Sequence, residues 1–204
     1  MAAADTSTGV GELKDELFEL LDEVEDRGIG ASAEVVEDLF EVVGELETLG
    51  PPIDEWPQSP LLGGRWELTY TSSRTFANNE GLSGYARDIG GISTPETYMN
   101  FNTKFRLLEY EEPVEFEKGS LAAVVGRFAG AAAIKVECAW APRADGTMAV
   151  DVQRVVVGSN TWPPADRQDK AVRVLSACRP IFLDEDLLVM RGQPEYIVWI
   201  FERA

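Results

Sequence analysis

The sequence contains no histidine and only two cysteines among its 204 residues. Without histidine the chain cannot form a Ser-His-Asp or Cys-His catalytic arrangement, and it cannot bind a metal ion through imidazole. Cys138 and Cys178 are too far apart in the sequence to resemble a metal-binding pair. Cys138 lies in an alternating apolar stretch, which favours a buried free thiol, and a disulfide or a redox switch stays open for both cysteines.

Long apolar runs are also missing. No stretch approaches the roughly 18 apolar residues that a membrane-spanning helix needs, so we expect no transmembrane segment. The first residues, Met1–Asp5, have neither the apolar core of a signal peptide nor the arginine-rich character of an organelle transit peptide. We therefore expect either a cytosolic protein or one whose targeting segment is not part of this sequence.

Basic residues are scarce at the start of the chain. Residues 1–56 hold 17 acidic residues against Lys14 and Arg27, a net charge of −15, whereas residues 57–204 hold 19 acidic and 16 basic residues, a net charge of −3. The lack of a basic face argues against nucleic acid as a partner and against docking of the first region on an anionic membrane. The acidic residues form either a solvated helical face or a docking surface for a basic partner.

Residues 1–56 have the pattern of two helices. Apolar residues recur at helical spacing in two stripes, Leu13, Leu17, Leu20, Leu21 and Val24, then Val36, Leu39, Phe40, Val43 and Leu46. Gly28 and Gly30 end the first helix, Ser32 can cap the second, and Gly50 before two prolines ends it. We predict an acidic helical hairpin over residues 1–56.

After a proline-rich link the pattern changes to period two, which indicates β-strands. Trp66, Leu68 and Tyr70 alternate with polar residues after the bend at Gly63-Gly64. Residues 71–96 resemble a long loop with a short helix, a candidate lid. Further strands are predicted over 99–107, 114–117, 121–128, 134–140, 148–157, 181–183, 187–191 and 196–201, with a hairpin turn at 144–146 and a bulge near 154–155.

These elements predict an α+β, mainly β, fold in which residues 57–204 form an antiparallel barrel and the helical hairpin packs on it. The inward-pointing residues either fill a solid core or line a pocket for a long lipid. Those residues are Tyr70, Met99, Phe101, Phe105, Val136, Trp140, Val150, Val152, Val198 and Ile200. A polar group near the mouth, Arg106, Arg127 or Arg154, is a candidate for orienting a headgroup.

Two segments carry a resemblance to a known family. The segments are LGGRWELTYTSS over Leu62–Ser73 and FLDEDLLVMRG over Phe182–Gly192. With the acidic helical pair before them, they resemble the plastid lipid-associated proteins, also called fibrillins or plastoglobulins, over residues 11–203. One departure is Leu188, where the family's motif usually carries an arginine.

The resemblance implies a lipocalin-like barrel in a plastid protein, at plastoglobules, at thylakoids or in the stroma. Such a protein binds or organises isoprenoid lipids, prenylquinones or fatty-acyl lipids, and it has no common catalytic centre and no cofactor. It also implies that an arginine stacks on Trp66 and closes one end of the barrel, and we expect Arg191 to be that residue. Gly64 and Gly192 belong to the same structural motif.

The acidic run Asp184-Glu185-Asp186 has three interpretations. We expect a turn at Asp184 and Asp186, and the alternatives are a calcium site or a general acid-base pair. No nucleophile or metal motif lies beside the run, so the sequence gives no reason to predict an enzyme. The favoured hypothesis is a non-catalytic lipid-binding protein, with peripheral association with a membrane or lipid droplet. The alternative is a solid barrel whose residues 1–56 recruit a basic plastid protein.

Overall fold

The computed structural model describes residues 2–51, 53, 55–84, 91–118, 132–162, 175–192 and 196–204. Within them lie three helices, α1 (Ala2–Asp22), α2 (Ala33–Leu49) and α3 (Arg74–Asn79). The strands are β1 (Gly64–Thr71), β2 (Ile92–Ser93), β3 (Tyr98–Asn102), β4 (Leu107–Pro113), β5 (Glu115–Phe116), β6 (Ala133–Pro142), β7 (Met148–Val157), β8 (Asn160–Trp162), β9 (Cys178–Leu183), β10 (Leu187–Gly192) and β11 (Val198–Arg203). The predicted strand over 121–128 falls outside the described residues.

Nine of the strands form one antiparallel sheet in the order β8-β7-β6-β4-β3-β1-β11-β10-β9, and β2 pairs with β5 separately. The predicted α+β, mainly β, class is therefore confirmed. The ladder ends at β8 and β9, and no strand pairing in the described part of the chain closes it into a barrel. None of the described helices is long and apolar enough to cross a membrane.

The β9 side of the sheet nevertheless meets β7 through one serine. Ser176, two residues before β9, accepts a hydrogen bond from the backbone N of Val150 at 2.9 Å and donates one to the Val150 carbonyl at 3.2 Å. Arg143 donates to the Ser176 carbonyl. The sheet is therefore curled, and its two sides are joined here by a side chain in place of a strand ladder.

α2 begins where the sequence predicts, whereas α1 ends at Asp22, before Gly28. Ser32 caps α2 by accepting a hydrogen bond from the backbone N of Val35, and Ser73 caps α3 in the same way through Phe76. In α2 the apolar stripe is buried at Leu39, Val42, Val43 and Leu46. The acidic residues on the other faces of α1 and α2 are mostly exposed, as expected for amphipathic helices that pack on one side only.

The sheet buries apolar residues on both of its faces. The interior cluster includes Trp66, Leu188, Trp199 and Phe201, whereas the helix-facing cluster joins α1 and α2 to outward residues of β1, β9, β10 and β11 such as Ile200. The strand β11 therefore has no polar face over its buried residues, because one face contacts the interior and the other contacts the helices.

Register shifts in two strands change which side chains point inward. In β1, Leu68 pairs with Phe201 but Tyr70 pairs with Ile200, so one residue is bulged between them. In β7 the pairing with β6 shifts between Val152 and Arg154. The predicted bulge near residues 154–155 is thus confirmed to within two residues.

Ion pairs fix the helices to the sheet. The carboxylate of Glu47 in α2 forms ion pairs with the guanidinium groups of Arg179, at 2.8 Å, and Arg191, at 3.0 Å. These two arginines lie opposite each other on β9 and β10. Lys14 of α1 pairs with Asp184 in the β9–β10 turn. The Glu47 carboxylate therefore reduces the repulsion between two like charges that face each other across the ladder.

Candidate functional site

Six of the ten residues predicted to point inward lie in the interior cluster of the curled sheet. They are Met99, Phe101, Val136, Trp140, Val150 and Val152, and all are buried. The Trp140 ring meets Phe101 edge to face, with the ring centres 6.2 Å apart. β3, β6 and β7 thus bring these side chains together, as the period-two pattern predicts.

Tyr70, Phe105, Val198 and Ile200 lie elsewhere, so their assignment to the interior was wrong. The bulge in β1 turns Tyr70 to the helix-facing cluster, which also holds Val198 and Ile200, and burial raises its pKa to about 12. Phe105 is 64% exposed because β3 ends at Asn102 and residues 103–106 form a turn. The side chain of Asn102 accepts the backbone N–H of Phe105 and fixes this turn.

The arginines proposed to orient a headgroup are not in the interior. Arg106 is exposed in the turn between β3 and β4. Arg154 is exposed and pairs with Glu137 at 2.7 Å on the outer face of the sheet. Arg127 lies outside the described residues.

A tryptophan from the proline-rich link fills part of the interior. Trp56 is buried and stacks on Trp140, with the ring centres 5.6 Å apart. The short helical turns at Trp56–Gln58 and Pro60–Leu62 direct it inward. This contact was not predicted, because the segment with four prolines around Trp56 has no periodic pattern that shows which side chains are buried.

The opening-strand tryptophan is capped by an arginine, but the arginine is Arg203 and not Arg191. The Arg203 guanidinium lies 3.7 Å from the Trp66 ring centre and donates to the carbonyls of Gly63 and Leu61. A Cβ atom on Gly64 would lie 2.9 Å from this guanidinium, and Gly64 has a φ of +116°, so both space and backbone require glycine there. Trp66 itself donates to the Leu62 carbonyl.

The other motif residues have structural roles. Asp184 accepts the backbone N–H groups of Asp186 and Leu187, which forms the predicted turn. Gly192 leaves room for its neighbours, because a Cβ atom there would lie 3.2 Å from the sulfur of Cys178. Both cysteines are buried, and burial raises the pKa of Cys178 to about 12.

A buried carboxyl group lies at the other end of the interior. Glu112 is fully buried on β4 and accepts hydrogen bonds from the Tyr110 hydroxyl at 2.6 Å and the backbone N of Leu82 at 2.8 Å. The backbone N of Ser83 also donates to it, at 3.3 Å. Gly81 must be glycine, since a Cβ atom would lie 2.1 Å from the carboxyl oxygen. Glu112 thus fastens the loop of residues 81–83 over this end.

Burial raises the pKa of Glu112 above its ordinary value of 4.5, although the donors from Ser83, Tyr110 and Leu82 and the charge of Arg27 act in the opposite direction. Burial likewise raises the pKa of Tyr110. This site was not predicted from the sequence. A signal was present, because Glu112 shares the inward parity of Leu108 and Tyr110 on β4.

Together these features define a mainly β protein whose curled sheet encloses an apolar interior with a tryptophan-lined end and a carboxyl end. Residues 11–83 match the family model described as PAP_fibrillin, which confirms the resemblance to the plastid lipid-associated protein, or fibrillin, family. The match begins within α1 and includes α2, β1 and α3, and the second motif, over residues 182–192, lies beyond it. Fibrillins are lipid-associated proteins of plastids.

A search of curated proteins finds no match to the chain. One solved structure, a DUF4847 family protein from Bacteroides vulgatus, aligns with 75% of this chain and 98% of its own at 11% identity. Its TM-score is 0.34, which is too low to carry an argument about fold or function.

Replacing Arg203 by lysine should destabilise the protein, because lysine keeps the charge but loses the planar stack on Trp66 and the paired donors. We expect the free energy of unfolding in urea to fall by about 1–3 kcal/mol. Arg154→Lys, at an exposed ion pair, is the matched control and should change it by less than about 0.5 kcal/mol. Equal effects of the two substitutions would show that Arg203 does not cap the interior.

Glu112 should make stability depend on pH. Because the folded protein holds the proton more tightly than the unfolded chain, the contribution of Glu112 to stability is complete below its ordinary pKa of 4.5 and is lost as the pH rises through the raised pKa. The free energy of unfolding of the wild type, relative to that of Glu112→Gln, should therefore decrease as the pH rises through this range. Urea unfolding at a series of pH values measures it, with Glu115→Gln as an exposed control. A difference independent of pH would contradict the assignment.

Proposed function

We propose that this protein is a non-catalytic plastid lipid-associated protein that binds a hydrophobic small molecule inside a lipocalin-like curled sheet. The candidate ligands are isoprenoid lipids, prenylquinones and fatty-acyl lipids. Removing such a molecule from water would contribute roughly 25 cal/mol for each Å² of apolar surface that becomes buried. The family match supports the lipid class, and the apolar interior supports the location.

The observation that carries the proposal is an indole N–H without a partner. The Nε1 atom of Trp140 is buried, and no group among the described residues accepts its hydrogen bond. A buried donor without an acceptor costs about 1–3 kcal/mol, so native proteins seldom leave one unpaired. An apolar molecule that carries a carbonyl, such as a quinone or an acyl ester, would supply the acceptor.

Space for such a molecule requires Trp56 to move. Trp56 stacks on Trp140, and the backbone hydrogen bonds of its segment are local turns, such as Trp56 N to Ile53 O and Ser59 N to Trp56 O. A groove of about 350 Å³ lies between this segment and Leu183, and another of about 610 Å³ lies between it and the β6–β7 hairpin. An apolar ligand could therefore displace one aromatic ring without breaking the strand ladder.

The test is a titration with a short-chain prenylquinone, followed by tryptophan fluorescence and native mass spectrometry. We expect saturable quenching and one bound ligand. Trp140→Phe keeps the ring but loses the donor, so it should weaken binding about tenfold. Trp56→Phe is the matched control and should change the affinity by less than about threefold. No bound mass and no quenching in the wild type would overturn the proposal.

A second candidate function is a scaffold that recruits a basic plastid protein. The charge of the helices favours it, because Glu12, Glu16 and Glu19 of α1 are exposed, while Lys14 is paired with Asp184. Exposed charges attract a partner strongly only at low salt, since the screening length is about 10 Å at 0.1 M. In this arrangement the interior would be solid and the outer helix face would do the binding.

For the scaffold we expect capture of a plastid protein by the immobilised chain to weaken steeply with salt. Glu12, Glu16 and Glu19, replaced together by glutamine, should abolish it. The same replacement at Glu115, Glu117 and Glu185, which are exposed on other elements, changes the net charge equally and should leave capture intact. If both triple variants lose the partner to the same extent, the helices are not the docking surface.

A further inference from the structure

Four large hydrophobic side chains are exposed in the described residues, and two of them lie in one turn. Phe105 is 64% exposed and Leu107 is 49% exposed, and both belong to residues 103–107 between β3 and the start of β4, here named the Phe105 turn. The other two, Leu49 and Tyr196, lie on separate elements. An exposed apolar pair in one place marks a contact surface more strongly than isolated residues do.

The turn presents these side chains in a fixed shape. Asn102 accepts the backbone N–H of Phe105 at 3.1 Å, and the carbonyl of Arg106 accepts the backbone N–H of Trp140 at 2.9 Å. Arg106 has a φ of +52°, which L-residues adopt infrequently. The flanking residues Phe101 and Leu108 are buried. The exposed positions of Phe105 and Leu107 are therefore set by the fold on both sides of the turn.

The Phe105 turn is also locally basic in an acidic protein. It carries Lys104 and Arg106, and residues 102–108 include no acidic residue, whereas the whole chain has a net charge of −18. Lys104 lies 5.3 Å from the Phe105 ring centre. Cations beside exposed aromatic and aliphatic side chains are the combination that binds an anionic lipid surface.

We propose that the Phe105 turn inserts into an anionic lipid surface and is the membrane-docking site of this protein. A stable protein dimer needs roughly 800 Å² of buried surface on each partner, and two side chains at a turn supply a fraction of that. A lipid surface needs no such area, because apolar burial and the attraction of two cations add together. The helices that carry the acidic residues pack on β1 and β9–β11 and not on this turn.

Docking in this way would bring the tryptophan end of the interior to the lipid. The Arg106 guanidinium is 5.8 Å from the Trp140 ring centre, and Trp140 stacks on Trp56. A ligand that leaves the lipid phase would therefore meet the Trp56 segment first. This consequence rests on the proposed function, whereas docking itself does not depend on it.

Vesicle flotation tests the docking site, with phosphatidylcholine vesicles that contain or lack phosphatidylglycerol. The wild type should bind the anionic vesicles. Phe105→Ser should weaken binding about tenfold or more, whereas Tyr196→Ser, at a residue that is equally exposed at 64%, should leave it unchanged. Lys104→Gln and Arg106→Gln should each weaken it about fivefold, and only on anionic vesicles.

Docking through this turn would be overturned if the wild type did not bind the anionic vesicles. It would also be overturned if Phe105→Ser and Tyr196→Ser weakened vesicle binding equally. Self-association that Phe105→Ser abolishes, seen by sedimentation velocity without vesicles, would assign the turn to a second copy of the chain and would also overturn it. The soluble prenylquinone titration separates the two proposals. Phe105→Ser should keep the wild-type quenching, so a failure of vesicle binding and a failure of ligand binding are read out independently.

Discussion

The structure depends on a sheet whose last strands must be covered on both faces. In β11, Trp199 and Phe201 contact the interior, while Val198 and Ile200 contact the helices. Neither face can be left in water without exposing a row of apolar side chains, so the curl of the sheet and the packing of α1 and α2 stabilise each other. The Glu47 ion pairs then set the position of α2 on a surface that apolar contact alone would leave free to slide.

The parts of this fold that are encoded over a few neighbouring residues were predictable from the sequence. Ser32 caps α2, and Gly146, with a φ of +81°, forms the β6–β7 hairpin. The arginine on Trp66 was not predictable in this way. Trp66 lies opposite Arg203 because of the pairing of β1 with β11, and the register between distant strands is absent from any local pattern. Tyr70 was misplaced for a related reason, since a single bulged residue moves a side chain to the other face.

Glu112 shows a different limit of sequence reasoning. Its parity on β4 points inward, but a glutamate at an inward position is ordinarily read as the end of a strand, because an unpaired buried charge is too costly. The structure provides two backbone N–H groups and the Tyr110 hydroxyl for it, and the two backbone donors come from residues about 30 positions earlier in the chain. No spacing rule anticipates such a partnership, although Gly81 beside it leaves the space that the carboxyl group occupies.

The two ends of the interior are closed by different kinds of interaction, and this difference decides where a ligand would enter. Opening the carboxyl end separates Glu112 from Leu82 and Ser83, so the carboxyl group loses both of its backbone donors, which is costly. Moving Trp56 at the tryptophan end breaks an aromatic stack worth about 0.5–1.5 kcal/mol beyond its buried area, and an apolar ligand restores both the contact and the burial. The same end carries the exposed Phe105 and Leu107. Ligand exchange at the tryptophan end therefore requires no polar group to lose its partner, and it would occur beside the surface that we propose docks on lipid.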